Sequence, residues 1–399
     1  MSRRIIHLIS ILMFLFLVSC NKETDRPMQS DCTIEADSLQ TSSKSAAYKA
    51  LINKYTRQGL PGIVLSVNDS TGIFNGASGQ ADIKNDISMQ ACHVQDFSGV
   101  IQIFLATAVF RLQEKGMISL DDPVDKYIPK ATLKKIGNGS SPLKIRNLMN
   151  HTAGLYDFTT DREFLLDLIQ EPEKERTAED LLRFVNNKNS MFPFRPADSA
   201  GFSNTSYLLL SMAVESATGI PAASIIQQEV LLPAGLTQTY ILPQIQIPDG
   251  LKAQGYFDLY GNNNLHNLSM WNTGFGNGFN GIYSTLTDMQ RFLQVLFIEK
   301  SLLSDVSLST MLTFEPDIED GKQMGTGCFR DFVDATNPDL PFSWGYRGRG
   351  LSSTAEIHYL PETGTTLIFA INYGTLLSSG LRYKFLSFRT ELIAIARQK

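Results

Sequence analysis

The sequence predicts an α+β fold: an antiparallel sheet formed by the N- and C-terminal segments and flanked by helices, with a mostly helical lobe inserted between them. Two observations carry this expectation. Strand-like stretches bounded by Gly, Asn, Asp and Pro turns lie near residues 61–79 and 354–373, while helical patterns dominate the span between. Val100 to Leu112 (VIQIFLATAVFRL) is apolar on nearly every face, as in a helix buried all round. Strands at both ends with helices between them form one sheet when the ends meet. The expected partition is a domain over 45–399, with a sheet lobe at about 45–95 and 280–399 and a helical lobe at about 96–279.

Taken in order, Ser45 to Gln58 is expected to be a helix with Ala47, Leu51 and Tyr55 on one face. Pro61 to Asn68 is a strand, Asn68 to Gly72 a turn, and Ile73 to Gly79 the return strand. Ser98 is placed to cap the buried helix, because its hydroxyl can satisfy an orphan amide of the first turn, and Gly116 stops that helix. Asp161 to Gln170 and Thr177 to Asn187 are expected helices, the second opened by a polar cap with an acid three residues on. Thr354 to Leu360 and Thr365 to Tyr373 form a hairpin around Pro361 to Gly364, and Leu381 to Ala396 closes the chain as a helix.

The chain has 399 residues, 43% of them apolar, enough for a large core. Its formal charge of −5 and scattered basic residues argue against nucleic acid as a partner. Arg3 and Arg4 followed by an apolar run from Ile5 to Val18 mark residues 1–19 as a signal peptide. That run is shorter than the ~20 residues of a membrane span. Leu17-Val18-Ser19-Cys20 matches the bacterial lipoprotein signal, so Cys20 is the expected lipidation site and the protein's link to the membrane. Residues 20–44 then form a polar tether. The expected location is the bacterial cell envelope, lipid-anchored, on the periplasmic or surface-facing side of an outer membrane. Cys32, Cys92 and Cys328 remain, an odd set that leaves at least one free thiol and does not fix a pairing. No CxxC or His/Cys cluster has metal-ligand spacing, so neither a metal nor a cofactor is expected.

Five stretches carry a family resemblance. They are Glu114 to Tyr127 (a helix end, Gly116, then a leucine–acidic–acidic–proline run), Leu143 to Leu155 (LKIRNLMNHTAGL), Phe192 to Ala213, Leu231 to Tyr240, and Asn277 to Phe297 with Gly281, Tyr283, Ser284, Thr285 and Asp288. Their content and order resemble the serine β-lactamase and penicillin-binding-protein family, over roughly residues 45–399. The resemblance implies a five-stranded sheet, a helical second lobe and an active cleft between them. It also implies that His151 is structural.

In that family a Ser-x-x-Lys starts the buried helix, a Tyr-x-Asn comes from the helical lobe, and a Lys-Thr-Gly or His-x-Gly lies on a sheet strand. The Lys amine takes the Ser proton, and the Tyr helps shuttle it. Each element is altered here. The nucleophile and base positions hold Gly99 and Gln102, the Tyr-x-Asn is Phe202-Ser203-Asn204, and Trp344 to Gly348 places Tyr346 where Lys or His would lie. Losing one member of such a unit typically costs ~10⁴–10⁶ in rate. No family-type catalytic residue is therefore expected.

The helix start, with Ser98 and Gly99, together with Gln102, Asn204, Tyr346 and Arg347, is the candidate site for a carboxylate ligand such as a cell-wall peptide. The alternative is that Gln102 and Asn204 hydrogen-bond each other in a closed cleft. Two further functions stay open: a serine hydrolase with a substitute nucleophile such as Ser98 or Ser352, and a structural envelope protein with a filled cleft.

Overall fold

The computed structural model describes residues 40–136, 143–189, 200–248, 250–319, 321–332, 341–377 and 380–398. The expected signal peptide, Cys20, Cys32 and most of the expected tether lie outside them.

The N-terminal half opens with α1 (Ser45–Arg57), β1 (Gly62–Asp69), β2 (Gly72–Asp82), β3 (Ile87–Ser88) and β4 (Gln95–Ser98). The buried helix α2 (Ile101–Glu114) follows. The helical lobe is then built from α3 (Lys130–Lys135), α4 (Ile145–Met149), α5 (Arg162–Gln170), α6 (Ala178–Leu182), α7 (Asn204–Thr218), α8 (Ala222–Ile226) and α9 (Leu232–Ala234). Short strands β5 (Tyr240–Ile241), β6 (Tyr256–Phe257), β7 (His266–Asn267) and β8 (Ile282–Ser284) lead into α10 (Leu286–Leu293) and α11 (Asp305–Met311). The chain ends with β9 (Phe314–Glu319), β10 (Lys322–Gly325), β11 (Phe329–Phe332), β12 (Phe342–Arg349), β13 (Thr354–Leu360), β14 (Thr365–Ile371) and α12 (Arg382–Arg397).

The two ends of the chain meet in one antiparallel sheet of order β3-β2-β1-β14-β13-β12-β11-β10-β9. β1 pairs with β14 from Ile63↔Ile371 to Asn68↔Thr366, which closes the sheet around the inserted helices. The sheet has nine strands rather than five, because β9, β10 and β11 fold back beside β12 and β3 adds to the other edge.

Helix α2 is the centre of the core: every residue from Ile101 to Phe110 is buried, as its all-round apolar sequence predicts. Phe104 stacks on Phe292 of α10 at 3.9 Å. On the other face of the sheet α1 packs on α12, with Tyr55 edge-on to Phe388 at 5.6 Å. The buried face of α1 is Tyr48, Leu51, Ile52 and Tyr55, and Ala47 is exposed. The face is turned one residue from expectation because the Tyr48 ring has Phe74 to pack against, at 5.3 Å. The helix expected over Thr177–Asn187 stops at Leu182, since Phe184 and Val185 bond back to Leu181 and Leu182 in tighter turns and Asn187 takes a left-handed φ of 61°. The capping box of Thr177 and Asp180 is present. Cys92 is disulfide-bonded, and Cys328 is a free, buried thiol.

A buried ionic network ties β11, β12 and β13 to α12. Asp331 accepts from Arg347 and, at 2.8 Å, from Arg389. Arg389 also donates to Glu356 at 2.7 Å, and His358 pairs with the same carboxylate at 2.8 Å. The neighbouring guanidiniums overcome burial and hold the Glu356 carboxyl down at about 2, against an ordinary 4.5. A carboxyl depressed on folding contributes stability that is complete above about 4.5 and is lost as the pH falls toward about 2. Thermal melts should therefore drop steeply between pH 5 and pH 2–3, and less steeply in Glu356→Gln. Arg389→Leu, which takes one cation from two buried carboxylates, should cost ~3–5 kcal/mol in denaturant unfolding at neutral pH.

Candidate functional site

The first turn of α2 meets β12 at close quarters. A Cβ on Gly348 would collide with the Phe97 carbonyl oxygen and lie 3.1 Å from the Gly99 nitrogen, so only glycine lets the strand pass here. Gly99 is different. A Cβ there would be 3.6 Å from the Gly348 Cα and 3.9 Å from the Gln102 amide, ordinary contacts, so the site has room for a side chain that the sequence lacks.

Beneath Gly99 runs a chain of hydrogen bonds whose direction is fixed at each step. The Ser203 amide donates to His151 Nδ1 at 3.3 Å. The neutral ring must then carry its proton on Nε2 and donate it to the Tyr346 hydroxyl at 3.2 Å. Tyr346 donates to Gln102 Oε1 at 2.6 Å, and Gln102 Nε2 donates to Asn204 Oδ1 at 2.8 Å. Asn204 Nδ2 donates to Asp157 at 3.1 Å and to the Thr159 hydroxyl at 2.9 Å. Burial, helped by the Lys322 charge, pushes the His151 ring down to about 3, and burial holds the Tyr346 phenol well above its usual range. At neutral pH none of His151, Tyr346, Gln102 and Asn204 is charged.

Local structure explains each placement. His151 takes a left-handed φ of 59° in the His-Thr-Ala-Gly turn and its ring lies 4.7 Å from the Phe202 ring, so it acts as a spacer between β12 and the start of α7. Asn204 is the first residue of α7, projected from the lobe toward α2. Tyr346 and Arg347 are adjacent on β12 and must point to opposite faces. Tyr346 reaches α2, so Arg347 reaches Asp331 behind the sheet.

Above this layer lies an open cleft of about 550 Å³. Gly99, Phe202 and Asn204 lie on its wall, facing Arg349, Leu351 and Arg382. Gln102 and Tyr346 are fully buried below it and do not line it. The expected pairing of Gln102 with Asn204 is present, but the cleft is not closed.

Two expectations about donors are corrected. Ser98 does not cap α2: it sits before the helix at φ 48°, with its hydroxyl 2.6 Å from that of Ser353. The amides of Val100, Gln102 and Ile103 are taken up by Phe97, Gly99 and Val100 carbonyls in tight turns, which leaves few donors at the helix start. Arg347 lines the cleft, but its guanidinium is bound to Asp331. Asp157 and Thr159, which anchor Asn204, and Arg382 and Lys322, which line the cleft, carried no motif in the sequence, and Phe279 lies in the Asn277 to Phe297 stretch without being singled out there.

A sheet closed by both chain ends, a helical lobe and a cleft at the head of a buried helix define the β-lactamase and penicillin-binding-protein fold. Residues 47–382 match the Beta-lactamase family, and the chain belongs to it. It is 25% identical over 199 residues to Penicillin-binding protein 4* of Bacillus subtilis (strain 168), across 50% of this chain and 42% of that protein. It is 23% identical over 236 residues to D-alanyl-D-alanine-carboxypeptidase/endopeptidase AmpH of Escherichia coli (strain K12), across 59% of this chain and 57% of that one. The matched region thus spans about half the length of these curated relatives. Among solved structures, the D-amino acid amidase of Ochrobactrum anthropi SV3 complexed with L-phenylalanine amide has a TM-score of 0.74 at 22% identity, covering 89% of this chain and 98% of that one. The penicillin binding protein of Bacillus halodurans has a TM-score of 0.70 at 19% identity, covering 86% and 99%. These two likenesses bear on the fold alone.

Removing the Tyr346 hydroxyl leaves a His151 donor and a Gln102 acceptor buried and unpaired. Tyr346→Phe should therefore destabilise by ~1–3 kcal/mol in urea titration. Gly99→Ala should be nearly neutral in the same titration, whereas Gly348→Ala should lose ~1–3 kcal/mol by overpacking.

Proposed function

We propose that this protein is a membrane-anchored lipoprotein of the cell envelope that uses a β-lactamase-type cleft to bind a carboxylate or peptide ligand without hydrolysing it. The observation that carries the reading is the chain of hydrogen bonds under Gly99. Acyl transfer by this family's route needs a hydroxyl and an unprotonated amine within hydrogen-bond reach. Here Gly99 offers no hydroxyl, and Gln102 spends both ends of its amide on Tyr346 and Asn204. A Gln amide is not a base near neutral pH, and Phe202 has no proton to relay. The substitute nucleophiles are not poised either. Ser98 is buried and paired with Ser353, and Ser352 lies 3.4 Å from Asp96, a carboxylate rather than an amine.

The open cleft favours binding over a purely structural role. A filled cleft would have Phe97, Phe202 and Tyr346 packed into it. Phe97 and Tyr346 instead lie in the core beneath, and Phe202 stands on the wall. The envelope location rests on the lipoprotein signal at Cys20 and on curated relatives named for penicillin binding and D-alanyl-D-alanine carboxypeptidase activity.

Treatment with a penicillin or a fluorophosphonate should leave the intact mass unchanged, with a penicillin-binding protein labelled in parallel; a covalent adduct would overturn the non-catalytic reading. A D-Ala-D-Ala peptide should shift the NMR side-chain amide signal of Asn204, which lines the cleft, and no shift there would remove the peptide from the ligand list. Cys20→Ala should move the protein from the membrane fraction to the soluble fraction.

A further inference from the structure

We propose that the cleft selects a small carboxylate bearing an aromatic group, with the ring held among phenylalanines and the carboxylate held by Arg382. This rests on reading the cleft as a binding site and names the ligand class that its walls favour.

Two independent features converge. The first is an aromatic wall. Phe164, Phe202, Phe279 and Phe329 all line the cleft. Phe158 packs edge-on to both Phe164 and Phe279, at 5.0 and 5.2 Å, and so fixes their rings. Phe329 is set the same way, stacked on Tyr346 at 4.0 Å. Phe164, Phe279 and Phe329 are buried by the fold and Phe202 is half-buried, so the cleft wall is an apolar surface whose ordering cost is largely met. A ligand ring gains both apolar burial and ring–ring geometry there.

The second feature is one arginine, Arg382, without a partner among the described residues. Arg382, the first residue of α12, lines the same cleft and makes no hydrogen bond or ion pair with any described residue. Arg349 and Lys322 line it too. Among the described residues the acid on the wall is Asp157, whose carboxyl burial pushes up and whose oxygens are engaged by Thr159 and Asn204. Arg382, with no partner among the described residues, favours an anion, and its planar guanidinium suits a carboxylate through paired N–H donors. The layer under Gly99 has its donors and acceptors spent on one another, so polarity at the floor gives little and selection passes to the rings and the arginine. The volume of about 550 Å³ lies within the ~300–1,000 Å³ typical of small-molecule sites.

Calorimetric titration of the mature chain with three probes tests this. N-acetylphenylalanine carries ring and charge, N-acetylalanine charge alone, and N-acetylphenylalaninamide ring alone, each measured as both enantiomers. The first should bind about tenfold or more tightly than either of the others. Arg382→Gln should bring the acid down to the level of the amide, and Phe279→Leu should reduce the advantage over N-acetylalanine. Circular dichroism melts of both variants show that they are folded. Equal binding of N-acetylalanine or of the amide would overturn the proposal, as would no detectable heat from any probe at millimolar concentration. Binding of a D-Ala-D-Ala peptide without binding of N-acetylphenylalanine would overturn the ligand class while leaving the cleft a binding site. A penicillin adduct would overturn the non-catalytic reading and leave the ranking of the three probes to decide this one.

Discussion

A polar side chain on a helix with no exposed face must find its partners inside the protein, and Gln102 on α2 is that side chain. An unpaired buried amide costs ~1–3 kcal/mol for each unmade bond. Gln102 meets this demand with Tyr346 from the sheet and Asn204 from the helical lobe. Those two residues then require His151, Ser203, Asp157 and Thr159 in fixed orientations. The junction of sheet, buried helix and lobe is thus held by one directed chain of hydrogen bonds. The same place in an acyl-transfer site needs an amine with a free lone pair. In the chain seen here Gln102 has both ends of its amide engaged, by Tyr346 and Asn204.

The back of the sheet uses the opposite solution. There Asp331, Glu356, Arg347 and Arg389 are charged and compensate one another, and the network fastens α12 to β11, β12 and β13. The charged Arg347 behind the sheet and the neutral Tyr346 against α2 follow from the alternation of one strand. Tyr346 and Arg347 are neighbours on β12, and the pleat sends one to each side. The register that puts a phenol against α2 also turns the Arg347 guanidinium to Asp331. Arg382, brought to the cleft by the start of α12, supplies the positive charge there.

Much of the fold was legible in the sequence. The strand patterns at both ends and the featureless apolar run of α2 imply a sheet closed by the two ends around a buried helix, and β1 against β14 realises it. Local errors had local causes. Ala47 is a weak marker of a helical face beside a tyrosine that has an aromatic partner, and a helix end such as that after Leu182 is set by the loop that must follow it. The extra strands β9 to β11 gave no distinct signal because short strands at a sheet edge are defined by their neighbours rather than by their own composition.

The sequence by itself determined which atoms are present. It fixed a hydrogen at position 99, an amide at 102, a ring without a hydroxyl at 202 and a phenol at 346, because covalent identity needs no folding to be read. Only the tertiary structure decided where those atoms point. It buried Gln102 and Tyr346 under the cleft floor, bound Ser98 to Ser353 and Arg347 to Asp331, and brought Phe164, Phe279 and Arg382 from distant segments to one cavity. Orientation depends on strand pleat, helix phase and contacts between residues far apart in the chain, and none of these is encoded at a single position.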